Sequence, residues 1–154
     1  MQIERLSRDN IADACGLARE LHSVGTYGIE GPPFDWSYNY GALVRALEQP
    51  NRFCVLLANS SGYVGAVFGC VTAFLFCPRV YGFEEGWYVR EGTPFRAAIA
   101  SKLMHGFMEW CYSRDAVYIQ CGDINGANTI GVDALYRRLG FKRFGTIYRH
   151  KREV

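Results

Sequence analysis

Apolar and polar positions alternate from the first residue. Met1–Ser7 reads M-Q-I-E-R-L-S, the period-two pattern of a half-buried strand. Asp9 or Asn10 then caps a helix whose apolar positions, Ile11, Cys15, Leu17, Ala18 and Leu21, recur at helical spacing up to about Gly25. Thr26–Phe34 is rich in glycine and proline and reads as a loop. Asp35 or Ser37 caps a second helix through Leu43, Val44 and Leu47, stopped by Pro50. Arg52–Asn59 and Tyr63–Phe76 are apolar strands on either side of Ser60-Ser61-Gly62, a hairpin turn that makes them antiparallel. Pro78 sets off a further strand, Val80–Val89. Thr93 as N-cap and Pro94 in the first turn open a helix with the stripe Ile99, Leu103, Phe107 and Trp110, running to about Ser113. Ala116–Gly122 alternates as a strand, Thr129–Leu139 is a short helix ended by Gly140, and Phe141–His150 is the last strand.

The predicted order is β-α-α-β-β-β-α-β-α-β: an α/β fold with a mixed, mostly antiparallel central sheet flanked by helices. No linker or repeat divides residues 1–154, so one domain is expected. A hydrophobic fraction of 49% with 21% charged residues suffices for a core and is too apolar for disorder. The net charge of +2, with no basic stripe, argues against a nucleic-acid partner, since such affinity comes from neutralising phosphates. Arg149-His150-Lys151-Arg152 reads as a solvated tail. No run reaches the ~20 apolar residues that span a bilayer, and no signal peptide is visible, so no membrane association is expected. Cys15, Cys54, Cys70, Cys77, Cys111 and Cys121 form no C-x-x-C pair and sit in apolar segments. They read as buried, reduced thiols of a cytoplasmic protein, and the ligand cluster of a metal site is missing.

Two local patterns sharpen the fold. One is Leu135-Tyr136-Arg137-Arg138-Leu139-Gly140-Phe141, a helix end in which Gly140 stops the helix before an inward aromatic. The other is Trp87-Tyr88-Val89 leading into the helix from Pro94 to Met104. With the element order, they resemble the GNAT superfamily of acyl-CoA transferases. The resemblance implies one GNAT-like domain that moves an acetyl group from acetyl-CoA to the amine of a small molecule or protein by direct attack, and a homodimer. In the family, Gln/Arg-x-x-Gly-x-Gly/Ala holds the coenzyme A pyrophosphate on backbone amides, because a helix N-terminus offers unpaired N–H groups to an anion. Anchored on Leu103-Met104, that motif falls on Phe95, Ala98 and Ala100, and only Ala100 matches. The implied donor-binding set is Tyr88, Val89, Phe95, Arg96, Ala97, Ala98, Ile99, Ala100 and Ser101, with Asn128 after the penultimate strand (Asn125 is a neighbour of the same kind). The loss of both glycines motivates an alternative, a catalytically inactive GNAT-fold binding module.

Acyl transfer to an amine needs a base for the amine, a donor to the oxyanion and an acid for the leaving thiolate. Tyr136 stands where the family carries its general acid; otherwise it is an amphipathic core tyrosine. Glu84 and Glu85 stand where relatives carry a base. Alternation puts Glu85 on the face of Trp87 and Val89 and Glu84 on the opposite one, which favours Glu85 narrowly. The Val89 N–H is where the family polarises the thioester carbonyl. Nothing near Cys121 would lower its pKa, so it is disfavoured as a nucleophile, and His22, His105 and His150 read as structural or surface. For the acceptor, Tyr27, Phe34 and Trp36 offer aromatic walls and Glu30 a carboxylate for an ammonium group, or the same residues form a lid over the sheet.

Overall fold

The computed structural model describes residues 1–123 and 129–145. Strand β1 (Gln2–Arg5) leads to helix α1 (Ile11–Ser23), a one-turn helix α2 (Thr26–Glu30) and helix α3 (Trp36–Glu48). Strands β2 (Phe53–Asn59), β3 (Tyr63–Ala73) and β4 (Val80–Val89) follow, then helix α4 (Arg96–Tyr112), strand β5 (Ala116–Gln120) and helix α5 (Thr129–Arg138). The five strands lie in sequence order, antiparallel from β1 to β4, with β5 parallel to β4.

The sequence expectations hold for the type of most elements and miss several ends. Thr26–Phe34, expected as a loop, contains α2; its helical turn closes with Gly28 N–H on Gly25 O (3.0 Å) and ends with Gly31 N–H on Tyr27 O (3.0 Å). Helix α4 starts three residues after Thr93, with Phe95 as N-cap in the left-handed region (φ 58°). Strand β3 stops at Ala73, because Phe74 donates its N–H to Arg79 and closes a turn. Residues 141–145 form no strand, and the rest of the expected last strand lies outside the described residues. Asp35 caps α3 as expected, accepting from the Tyr38 N–H at 2.9 Å. Buried Asn10 instead ties β1 to α1, accepting from Ser7 N–H and donating to Arg5 O.

Two cores form on the two faces of the sheet, as alternation along the strands requires. On one face, Leu103, Met104 and Phe107 of α4 pack fully buried against Leu56, Val67 and Val89, with Leu135 of α5. On the other, Ala14, Cys15 and Leu17 of α1 and Leu43 of α3 cover Val55, Leu57, Ala66 and Tyr88. Each such large apolar side chain contributes roughly 1.5–3 kcal/mol by leaving water. The cysteines are all free; Cys15, Cys54 and Cys111 are buried, while Cys77 is exposed in the β3–β4 turn, against the expectation of burial. Among the described residues no helix is long and apolar enough to cross a membrane.

Candidate active site

Strands β4 and β5 part company halfway. Their parallel pairing runs from Val80↔Ala116 to Phe83↔Gln120, whereas β4 continues to Val89. On its other edge β4 stays paired with β3, but with a bulge: Phe68 faces Gly86 and Gly69 faces Glu84, which leaves Glu85 as the extra residue. The bulge reverses the phase of the strand. Glu84 therefore shares the α4–α5 face with Trp87 and Val89, and Glu85 does not, the reverse of what uninterrupted alternation predicts.

Glu84 is 5% exposed at the fork. Its Oε2 accepts the Tyr136 hydroxyl at 2.8 Å and, more weakly, the Gly122 N–H at 3.4 Å, while Trp87 Nε1 donates to the Tyr136 oxygen at 3.0 Å. Burial pushes the Glu84 carboxyl up to about 7, against the lowering by the Tyr136 and Gly122 hydrogen bonds; Glu85 and Asp123 add to the rise. Tyr136 is pushed upward by burial and by the Glu84 charge, so it remains a phenol. Burial also raises the Cys121 thiol, with Glu84 adding to it, which removes it as a thiolate nucleophile.

The end of α5 fixes the phenol. Gly140 (φ 86°) donates to Arg137 O and Phe141 to Tyr136 O, the paired bonds of a Schellman motif, and the Phe141 ring lies 5.5 Å from that of Tyr136. The Leu-Gly-Phe segment thus orients the tyrosine in addition to ending the helix.

Beside this fork, the start of α4 presents backbone amides that precede the helix's own hydrogen bonds. Its first amides, Arg96 and Ala97, precede the first intrahelical donors, Ala98 and Ile99, which bond Phe95 O. Arg96 Nε donates to Val89 O at 2.9 Å, tying strand end to helix start. Arg90 donates its N–H to Val64 O of β3, so the Val89 N–H points to the opposite edge, the one β5 has left. An open groove of about 740 Å³ runs along the outside of the helix, lined by Phe95, Arg96, Ala97, Ala98 and Ser101 with Lys102, His105 and Arg138.

No family model matches the chain, and neither does any curated protein sequence. Solved structures do match over its whole length. The apo aminoglycoside 6'-N-acetyltransferase AAC(6')-IG from Acinetobacter haemolyticus superposes with a TM-score of 0.73 at 18% identity, covering 100% of this chain and 99% of that one. AAC(6')-Iy bound to the bisubstrate analogue CoA-S-monomethyl-acetylneamine gives 0.72 at 16% identity, over 99% and 98% of the two chains. An aminoglycoside acetyltransferase, HMB0005, from an uncultured soil metagenomic sample gives 0.71 at 18%, over 99% and 98%. This is a GNAT fold.

Within the GNAT fold, the predicted residues divide. Phe95, Arg96, Ala97, Ala98 and Ser101 line the groove, whereas Ile99 and Ala100 are buried against the sheet and offer only backbone. The Tyr88 side chain is buried under α1 and α3, on the other face of the sheet from the groove, a correction to its expected role. Lys102 and Arg138 are absent from the residues the sequence predicts, and His105 is read there as structural or surface; helical spacing, four residues on from Ala98 and Ser101, is the signal for Lys102 and His105, while Arg138 carries none. Asn125 and Asn128 lie outside the described residues.

The residues expected to border the acceptor lie on α2, just before α3 and at its start, in the layer on the other face of the sheet. Leu21 of α1 lies over Gly86, where an added Cβ would come within 2.8 Å of it, so the chain leaves α1 close to Glu85. His22 then reaches Pro32 O (2.9 Å) and meets Phe34 edge-on at 5.7 Å, Phe34 meets Trp36 at 6.4 Å, and Arg19 lies 5.6 Å over the Trp36 ring. Phe34 packs into the core as a lid would, while Trp36 is 42% exposed. Tyr27 is half-buried and Glu30 exposed on α2. Sequence reasoning missed a second aromatic group: Phe74, Tyr81 and Tyr118, with ring centroids 4.8–5.5 Å apart, brought together from β4, β5 and the β3–β4 turn. Glu85 stands on this face beside Cys70; burial by the sheet raises its carboxyl, against the lowering by the Cys70 hydrogen bond.

Proposed function

We propose that this protein is an N-acetyltransferase that moves an acetyl group from acetyl-CoA to an amine by direct attack. The observation that carries the reading is the Tyr136 phenol, held half-buried at the fork of β4 and β5 by three partners and kept protonated by its surroundings. In this reading the pyrophosphate lies on the Arg96 and Ala97 amides, and Arg96, Lys102 and Arg138 add positive charge. The thioester carbonyl accepts the Val89 N–H, which supports the oxyanion of the tetrahedral adduct. Glu85, on the acceptor face, takes the amine proton directly or through water. Tyr136 gives its proton to the departing thiolate. Trp36, Phe34, Tyr27 and Glu30 border the acceptor, an amine-bearing molecule of small size or a protein amine.

Calorimetric titration with acetyl-CoA tests the donor, and thiol release across a panel of amines, beginning with aminoglycosides because several structural neighbours act on them, tests the transfer. No heat at millimolar acetyl-CoA would end the proposal. With a competent acceptor, Tyr136→Phe is expected to lower kcat by ~10²-fold while KM for acetyl-CoA changes little; an unchanged kcat removes the acid assignment. A second reading follows from Phe95 and Ala98 standing where the family has Gln/Arg and Gly: a GNAT-fold binding module. Acetyl-CoA binding without turnover of any amine supports that one instead.

A further inference from the structure

The Tyr136 oxygen has one hydrogen to give and two lone pairs. An indole N–H only donates, so Trp87 Nε1 at 3.0 Å occupies one lone pair whatever the state of the other groups. The remaining neighbour is Glu84 Oε2 at 2.8 Å, and that contact has two forms. An ionised carboxylate only accepts, so it takes the phenol hydrogen. A neutral carboxyl can donate its own hydrogen to the second lone pair, and the phenol hydrogen is then free to point elsewhere.

We propose that Glu84 is a positioning residue for Tyr136 and not the base for the acceptor amine: ionised Glu84 holds the phenol hydrogen on itself, and protonated Glu84 releases it toward the departing sulfur. The inference rests on the acetyl-transfer reading for its purpose, but the switch is a property of the free protein. In the transfer step the acceptor nitrogen bonds to the acyl carbon and loses a proton to Glu85, the C–S bond breaks with its electron pair going to sulfur, and the sulfur takes the phenol hydrogen. The phenolate left behind receives hydrogen bonds from Trp87 N–H and the Glu84 carboxyl, and solvent returns its proton.

The surroundings hold the two states within reach of each other. Burial favours neutral Glu84, as do the charges of Glu85 on its own strand and Asp123 beyond β5. The Gly122 N–H and the Tyr136 hydroxyl favour the ionised form. Cys121, also facing Glu84 from the β5 side, is an un-ionised thiol and adds no charge. Glu84 cannot reach the acceptor face, because the bulge at Glu85 turns it to the α5 side of the sheet. The division of labour is therefore spatial: Glu85 toward the amine, Glu84 toward the phenol.

The experiment follows the indole N–H signals of Trp36, Trp87 and Trp110 by nitrogen–proton NMR on the free protein, from roughly pH 5 to pH 9. The Trp87 signal, assigned as the one lost in Trp87→Phe, is expected to titrate with a midpoint near 7 and to stop titrating in Glu84→Gln, while Glu85→Gln leaves the titration in place. Should Glu84→Gln not fold, Tyr136→Phe interrupts the same chain at its middle and is expected to abolish the titration. A pH-independent Trp87 signal in the wild type, or one that still titrates in either of those two variants, overturns the proposal. No acetyl-CoA is present, so this failure is distinct from failure to bind or turn over the donor. With turnover in hand, the second readout is the alkaline limb of the kcat profile, where wild type falls about tenfold per pH unit above the midpoint and Glu84→Gln loses that limb.

Discussion

Glu84 and Glu85 are adjacent in the chain and differ in what they do to a proton. One is enclosed at the fork against Tyr136; the other is exposed on the opposite face of the sheet. The enclosure of Glu84 has a cost to stability with a definite sign. Its carboxyl titrates near 7 in the folded chain against the ordinary 4.5. The folded state thus holds this proton more tightly than the unfolded state. The associated stability is complete below the ordinary value and is lost as pH rises to about 7, by roughly 3 kcal/mol in all. Urea unfolding of wild type and Glu84→Gln across this window is expected to show that decline in the wild type only; parallel curves would mean the carboxyl is not desolvated.

At the scale of elements, the decisive feature is the mismatch between β4 and its two neighbours. The bulge opposite Gly69 selects which glutamate meets Tyr136, and the early end of pairing with β5 leaves the Val89 amide without a strand partner among the described residues. Gly69 permits this arrangement. A Cβ there would lie 2.5 Å from Phe107 Cε2 and 2.7 Å from Phe83 O, backbone on one side and a fully buried ring on the other. Gly69→Ala is expected to destabilise the fold by ~1–3 kcal/mol in denaturant melts, as overpacking does; a neutral effect would mean that α4 can move off the sheet without loss. The Schellman end of α5 works in the same way from the opposite side, since its two hydrogen bonds and the Phe141 contact set where the Tyr136 ring stands.

Across the whole molecule, arginines far from the fork tie the elements on the two faces of the sheet together. Arg114, just past α4, donates to Asn51 O, Pro50 O and Trp110 O, and its guanidinium lies 4.2 Å over the Trp110 ring. It clamps the end of α4 to the connection between α3 and β2, which belong to opposite faces of the sheet. Arg114→Ala is expected to cost ~1–2 kcal/mol by thermal or urea unfolding, and Arg114→Lys to recover little, because a point charge cannot make the forked contacts. Equal stability of the Lys variant and wild type would assign the effect to charge alone. At the other end of β4, Arg90 bonds Glu20 of α1 at 2.7 Å and Tyr63 O at 2.9 Å, an exposed tie of smaller weight.

Most of this architecture is legible along the chain. Strand and helix periods, the Asp35 cap and the Gly140 stop depend on residues within a turn or a strand of one another, so local patterns determine them. That a helix follows Val89 is legible for the same reason, although its start at Arg96 rather than Pro94 is not, and Tyr136 stands out as a candidate acid. What decides the site is not local. The pairing of Tyr136 with Glu84 spans 52 residues, and its existence depends on one unpaired residue in β4 that nothing in Phe83-Glu84-Glu85-Gly86 identifies. The meeting of Phe74, Tyr81 and Tyr118 likewise depends on how β4 and β5 register against each other and on the β3–β4 turn. Chain periodicity determines which residues are inside; tertiary register alone decided which carboxylate is buried against the phenol, because one extra residue in a strand exchanges its two faces.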